Sequence, residues 1–215
     1  MTTDTSRMRR APDLVPQVTV PEGAHGAACV ERFEVSEVDA KATLLRSMLK
    51  GRGYVPAGTY TKLTVGGVLW MTDTPAERSD HHEPVLRALW NHCETALVNG
   101  LGLGMVVGAL LESDEMRVVD VIELNPDVLA LVGPHYEAMA RERGKVVRLH
   151  LGDAREPSRL FASGQHWDVV WSDIWDSICA DDYEEHKTVR RRYGQRCNWQ
   201  GVWCGDIVRR AATGG

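Results

Sequence analysis

Residues 96–108 read ALVNGLGLGMVVG. A short aliphatic run ends on Asn99, glycine takes every second place at Gly100, Gly102 and Gly104, and the chain then turns apolar again. Each glycine inside a helix or strand weakens it by roughly 1 kcal/mol. The spacing therefore predicts a strand, a turn whose backbone something approaches closely, and a helix to about residue 112.

The chain downstream repeats that unit. MRVVDVIE (116–123) predicts a second strand, followed by a helix opened by Asn125 and Pro126, kinked at Pro134 and ended by Gly144. KVVRLHL (145–151) predicts a third strand with a short helix near 156–163, and WDVVWSD (167–173) a fourth with a helix near 181–196. Apolar strands alternating with helices imply an α/β fold: a Rossmann-like, doubly wound, mainly parallel sheet with helices on both faces. After the fourth strand, NWQGVWC (198–204) and a short tail do not obviously supply further strands. The sheet is expected to lack its last strands, with the N-terminal hairpin or a partner chain over the open edge.

Upstream, residues 1–24 are polar, carry Pro12, Pro16 and Pro21, and predict a flexible arm. SEVDAKATLLRSMLKGRG (36–53) predicts a helix capped by Ser36, and GTYTKLTVGGVLWMTDT (58–74) a β-hairpin turning at Gly66-Gly67. DHHEPVLRALWNHC (80–93) predicts one helix capped by Asp80, with Val85, Leu86, Leu89 and Trp90 on its apolar face. The expected division is an arm over 1–24, a small α+β extension over 25–79 and the Rossmann-like domain over 80–215.

Composition narrows the function. A net charge of -5 argues against wholesale nucleic-acid binding. The five cysteines are scattered without a C-x-x-C pair, which argues against a disulfide framework and for a reducing cytoplasm. The N-terminus has no apolar signal core, and no run approaches the ~18 apolar residues of a membrane span.

In an open parallel sheet, ligands bind beyond the carboxyl ends of the strands. The four predicted strands end on Asn99-Gly100, Glu123, Gly152-Asp153-Ala154 and Ser172-Asp173. Glycines admit close backbone approach, Glu123 can accept both hydroxyls of a ribose, and Asp153 can bond an adenine edge. The dinucleotide pattern G-x-G-x-x-G is not met, because its last glycine falls on Met105 or Val107. NAD is thereby disfavoured.

These strings resemble a class I S-adenosylmethionine (SAM)-dependent methyltransferase domain, and within it the spermidine synthase-like branch. Val98 stands two places before the first glycine, as an aliphatic residue does in spermidine synthases. VIELNP resembles their V-E-I-D-P-like string, Gly152-Asp153-Ala154 their GDA, and WDVVWSD their Y-D-V-I-I-x-D. The resemblance covers roughly residues 55–180. It implies SAM, or decarboxylated SAM, held by Asn99, Gly100, Gly102, Gly104, Glu123, Asp153, Ala154 and Asp173. It also implies Asp173 and Asp176 as catalytic or amine-orienting carboxylates. The family's D-S-S-D-P is here DIWDS, with bulky Ile174 and Trp175 where small residues line the acceptor channel. His82 and Glu83, if they face the cleft, fall where spermidine synthases carry a substrate-side pair.

The reading is a SAM-dependent methyltransferase acting on an unidentified acceptor, with no metal. Its alternatives are an aminopropyltransferase using decarboxylated SAM and a non-catalytic nucleotide-fold module. A homo-oligomer through a sheet edge or the Trp-rich C-terminal region is an expected partner. His186 with its acidic neighbours, and Arg190, Arg191 and Arg192, read either as a metal or nucleic-acid site or as charges complementing a helix dipole. Trp175, Trp199 and Trp203 read as packing or as an acceptor clamp.

Overall fold

The computed structural model describes residues 14–50, 53–175 and 178–214. Its elements run β1 (Gly23–His25), β2 (Ala28–Val35), α1 (Glu37–Lys50), β3 (Gly58–Val65), β4 (Val68–Thr72), α2 (Pro75–Asp80) and α3 (His82–Trp90). There follow β5 (Thr95–Asn99), α4 (Met105–Leu111), β6 (Val118–Glu123), α5 (Pro126–Glu142), β7 (Val146–Leu151) and α6 (Pro157–Leu160). The chain continues through β8 (Trp167–Ser172), a 3-10 turn (Ala180–Asp182), α7 (Tyr183–Tyr193), β9 (Cys197–Val202) and α8 (Gly205–Thr213).

Strands β5 to β9 form a five-stranded sheet in the order β7-β6-β5-β8-β9, parallel throughout. This is the doubly wound Rossmann-like arrangement, with its switch point between β5 and β8, the strands on either side of the reversal. Alternate residues of β5 serve opposite faces. Ala96 and Val98 join the core that also holds α4, α5 and the N-terminal sheet, whereas Leu97 packs with Trp167, Val170, Val189 and Tyr193 beneath α7. Asn125 accepts from the N–H groups of Asp127 and Val128 and so opens α5 as its sequence predicts.

The open edge is resolved by the chain itself. CNWQGV adds a fifth strand, β9, which pairs parallel to β8 from Trp167↔Cys197 to Ser172↔Val202. Its polar, glycine-interrupted composition is that of an edge strand. Gly201 gives room to two tryptophans: a Cβ there would stand 2.4 Å from Trp199 and 2.8 Å from Trp171. Trp199 and Trp203 pack against the main core, and Arg87 lies over the Trp199 ring.

Strands β1 to β4 form a separate antiparallel sheet in sequence order, of which the β3–β4 hairpin with its Gly66-Gly67 turn is one half. The other half, β1 and β2, includes ERFEV, whose alternation is too polar to announce a strand by itself. The stretch from Leu14 to Val20, expected as part of a flexible arm, is instead built into the core: Val15, Val18 and Val20 are buried. The buried Asp73 carboxylate accepts the N–H groups of Val18 and Thr61, and the Arg32 guanidinium donates to the carbonyls of Val18 and Val20. Residues 1–13 lie outside the described residues. Asp127, in the first turn of α5, accepts the Ala27 N–H at 2.8 Å and joins the two sheets.

One further helix expectation is corrected. The helix expected from Asp80 starts at His82, and Pro75 opens a separate short helix, α2, that ends at Asp80, with His81 between the two. The new phase buries Pro84, Val85 and Ala88, while Leu89 and Trp90 are exposed. Helix α5 carries Pro134 inside its span and continues to Glu142. No helix among the described residues is long and apolar enough to cross a membrane.

Candidate active site

Strand β5 delivers the chain into the glycine turn, where Gly100, Gly102 and Gly104 take φ of 92°, 50° and 73°. Side chains rarely adopt this left-handed backbone. What comes close to it is the protein itself. A Cβ on Gly100 would stand 2.0 Å from the Asp173 carbonyl oxygen, and one on Gly104 2.0 Å from the Tyr136 ring. One on Gly102 would stand 2.8 Å from the Met71 sulfur, which also accepts the Leu103 N–H at 3.4 Å. The expected close approach is therefore made by β4, α5 and the segment after β8.

Glu123, at the end of β6, is buried and holds this turn in place. Oε2 accepts the Leu101 N–H and Oε1 the Asn125 N–H, each at 2.8 Å. A carboxylate offers about four acceptor sites, so each oxygen retains one. The next residue, Leu124, is 62% exposed. Beyond β7, Asp153 accepts the Arg155 N–H at 2.8 Å, and the carbonyl of the buried Ala154 accepts the Tyr193 hydroxyl at 2.7 Å. Asn99 stands apart from these strand-end groups. Its side chain is wholly buried, donating to Ser172 Oγ and accepting from the Tyr193 hydroxyl, and it braces β5 against β8 and α7.

Asp173 follows β8, and its N–H donates to the Asn99 carbonyl. Its carboxyl is 12% exposed and lies 3.7 Å from Nε2 of His81, at the α2–α3 break. Burial, then the negative charges of Asp80, Glu77 and Glu123, push Asp173 up to about 8. Burial, then the neighbouring His82, push His81 down to about 4. Both groups are accordingly uncharged at neutral pH. His81 Nδ1 has no hydrogen-bond partner, and the ring meets Trp171 edge-on. A cavity of about 10 Å³, room for about one water, is lined by His81, Asp173, Gly100, Met71 and Trp171.

The sequence reading missed His81 because it placed both histidines at the start of one continuous helix. The signal for the break was Pro84, which has no N–H to give the Asp80 carbonyl and whose ring would clash with it in a continuous helix. Glu83 faces solvent, 4.0 Å from Arg87, and so does not reach this cavity. Asp176 lies outside the described residues. Trp175 is packed rather than open: its indole N–H donates to Glu185 at 2.6 Å and its ring lies 4.0 Å from that of His186. Among the described residues no group of three His, Cys, Asp or Glu side chains could hold a metal ion.

No family model and no curated protein matches the chain. Among solved structures it is similar to a methyltransferase from Geobacter sulfurreducens, at 21% identity and a TM-score of 0.39, over 54% of each chain. It is also similar to the SAH-bound methyltransferase of Podospora anserina, at 15% identity and a TM-score of 0.39, over 54% of this chain and 47% of that one. The third is the spermidine synthase of Thermotoga maritima, at 15% identity and a TM-score of 0.43, over 78% of this chain and 50% of that one. The chain is similar to both kinds of enzyme. It spans about half the length of each of these three.

Proposed function

We propose that the protein is a SAM-dependent transferase that moves a methyl group to a protonated nucleophile, with Asp173 receiving the acceptor's proton. The observation that carries this reading is the seating of one buried carboxyl on the glycine turn. The Asp173 backbone lies against Gly100 while its side chain meets His81 in the small cavity.

The residues present fit the nucleoside end of SAM. Glu123 keeps one acceptor site on each oxygen for a ribose, Leu124 offers an exposed apolar surface to a flat base, and Asp153 stands at the next strand end. At the other end Met71 sits on Gly102 and must swing aside for a ligand to reach the turn. When bound, SAM supplies an electrophilic carbon on a sulfonium.

A base is most effective when it ionises near the working pH, and a carboxyl held at about 8 meets that condition. Across the range from about 4 to about 8 the Asp173–His81 pair holds one proton, on Asp173. Above it Asp173 is the anion that accepts the acceptor's proton. Turnover should therefore rise with pH through about 8 and be lost in Asp173→Asn.

A second reading, aminopropyl transfer from decarboxylated SAM to an amine, draws on the acidic surroundings. Asp80, Glu77 and Glu123 all act on Asp173, and such a field suits a cationic acceptor. Calorimetric titration of SAM, decarboxylated SAM and SAH separates the possibilities. SAM and SAH should bind the unaltered protein, and Asp153→Ala, which leaves the glycine turn intact, should weaken both. Binding of decarboxylated SAM alone selects the second reading. If none of the three binds, the chain is a non-catalytic module on this fold.

A further inference from the structure

Beside the C-terminal end of α7, a groove of about 400 Å³ is lined by seven residues, four of them arginines. Arg155 and Arg159 come from the loop and first turns around α6, Arg192 from the last turn of α7, and Arg196 from the turn into β9. Glu156 is its one lining acid. A helix dipole accounts for a base at the end of α7. It does not account for the convergence of bases from three separate places in the chain.

The four guanidinium groups differ in how far they are compensated. Arg155 donates through Nε to Glu185 at 2.5 Å and lies 3.5 Å from Asp153, and Arg159 pairs with Glu156 at 2.7 Å. Arg196 donates to a neutral carbonyl, that of Ala162, at 3.2 Å. Arg192 and Arg196 have no carboxylate partner among the described residues. The groove thus has two oriented arginines on one wall and two with unneutralised charge on the other, in a chain whose net charge is -5. Like charges gathered this way repel, and an anion between them relieves the repulsion. The planar fork of arginine suits phosphate oxygens in particular.

We propose that this groove binds a compact oligophosphate, two or more linked phosphate groups carried by a small molecule. Its volume is that of a small-ligand site. A nucleic-acid backbone has the same oxygens, but its track would extend beyond four arginines onto a predominantly acidic protein. The assignment does not depend on what the glycine turn binds.

The test is calorimetric titration of sodium pyrophosphate into the full chain at low salt. Saturable one-to-one binding is expected, weakening as salt is raised. The double variant Arg192→Ala/Arg196→Ala should bind about tenfold or more weakly, because two charge-assisted contacts are lost. Arg192→Lys/Arg196→Lys, which keeps the charge but not the fork, should fall between them. Arg209→Ala/Arg210→Ala, on the exposed face of α8, should leave binding unchanged, and thermal melts report whether each variant is folded. Absence of pyrophosphate binding by the unaltered protein overturns the proposal. So does binding indifferent to Arg192 and Arg196, or a single-stranded RNA bound through these arginines that pyrophosphate does not displace.

Discussion

Replacing Asp173 by asparagine should make the protein more stable while abolishing its chemistry. Burial and three neighbouring acids hold this carboxyl at about 8, against 3.8 for a free aspartate. Between those values the folded chain keeps a proton that the unfolded chain has released. Stability therefore falls as pH rises through the window and levels off above about 8. Each pH unit is worth about 1.4 kcal/mol, so the penalty reaches about 4 kcal/mol at pH 7 and between about 5 and 6 at pH 8. Asparagine has nearly the same shape and escapes this penalty, less about 1 kcal/mol for a changed hydrogen bond. The assay is urea unfolding of both proteins, followed by tryptophan fluorescence, from pH 6.5 to 9. His81, held down to about 4 when folded, adds stability as pH rises past its ordinary value of 6.5, a contribution common to both proteins that cancels in the gap between them. The stability gap should widen up to about pH 8 and then stay constant. A gap that does not widen, or a variant less stable than the native protein at pH 8, refutes the buried-acid account.

Glu123→Gln turns an amide N–H₂ toward one of the two backbone donors it now serves, and should destabilise by about 1–3 kcal/mol. Urea unfolding measures this, and an unchanged midpoint would show that the turn does not depend on the carboxylate. Gly100→Ala drives a methyl into a backbone carbonyl and should destabilise by about 2–4 kcal/mol, whereas Gly102→Ala meets the movable Met71 side chain and should lose about 1–2. Adding Met71→Ala to the second variant should recover part of that loss, and equal losses at both glycines would contradict the packing described. Val20→Ala, at a fully buried position, should lower stability by about 1–3 kcal/mol. A neutral result would mean that the segment before β1 is not part of the core.

The parallel sheet was legible because strands buried on both faces are written as mostly aliphatic runs, as in ALV and in VVDVI, where Asp120 alone interrupts. Strands β2 and β9 were not, because β2 has one exposed face and β9 lies at a sheet edge, and each mixes Glu, Arg, Asn or Gln into its pattern. That Glu123, Asp153 and Asp173 stand at or just beyond the carboxyl ends of β6, β7 and β8 was legible from the strand pattern. What they touch was not. That Glu123 binds the turn, that Asn99 is sealed inside, and that His81 faces Asp173 depend on contacts 22 to 94 residues apart in the chain. The break that aims His81 falls where Pro84 cannot bond back to the Asp80 carbonyl, an effect that a hydrophobic-periodicity argument does not see.

The sulfur of Met71 resting on Gly102 makes the N-terminal sheet a competitor for the backbone it covers. A ligand reaching that turn must displace the Met71 side chain, so its observed affinity would be its intrinsic affinity scaled by the fraction of time Met71 is away. A substitution far from the nucleotide fold, in the β3–β4 hairpin, would then tune ligand binding without touching a single residue that contacts the ligand.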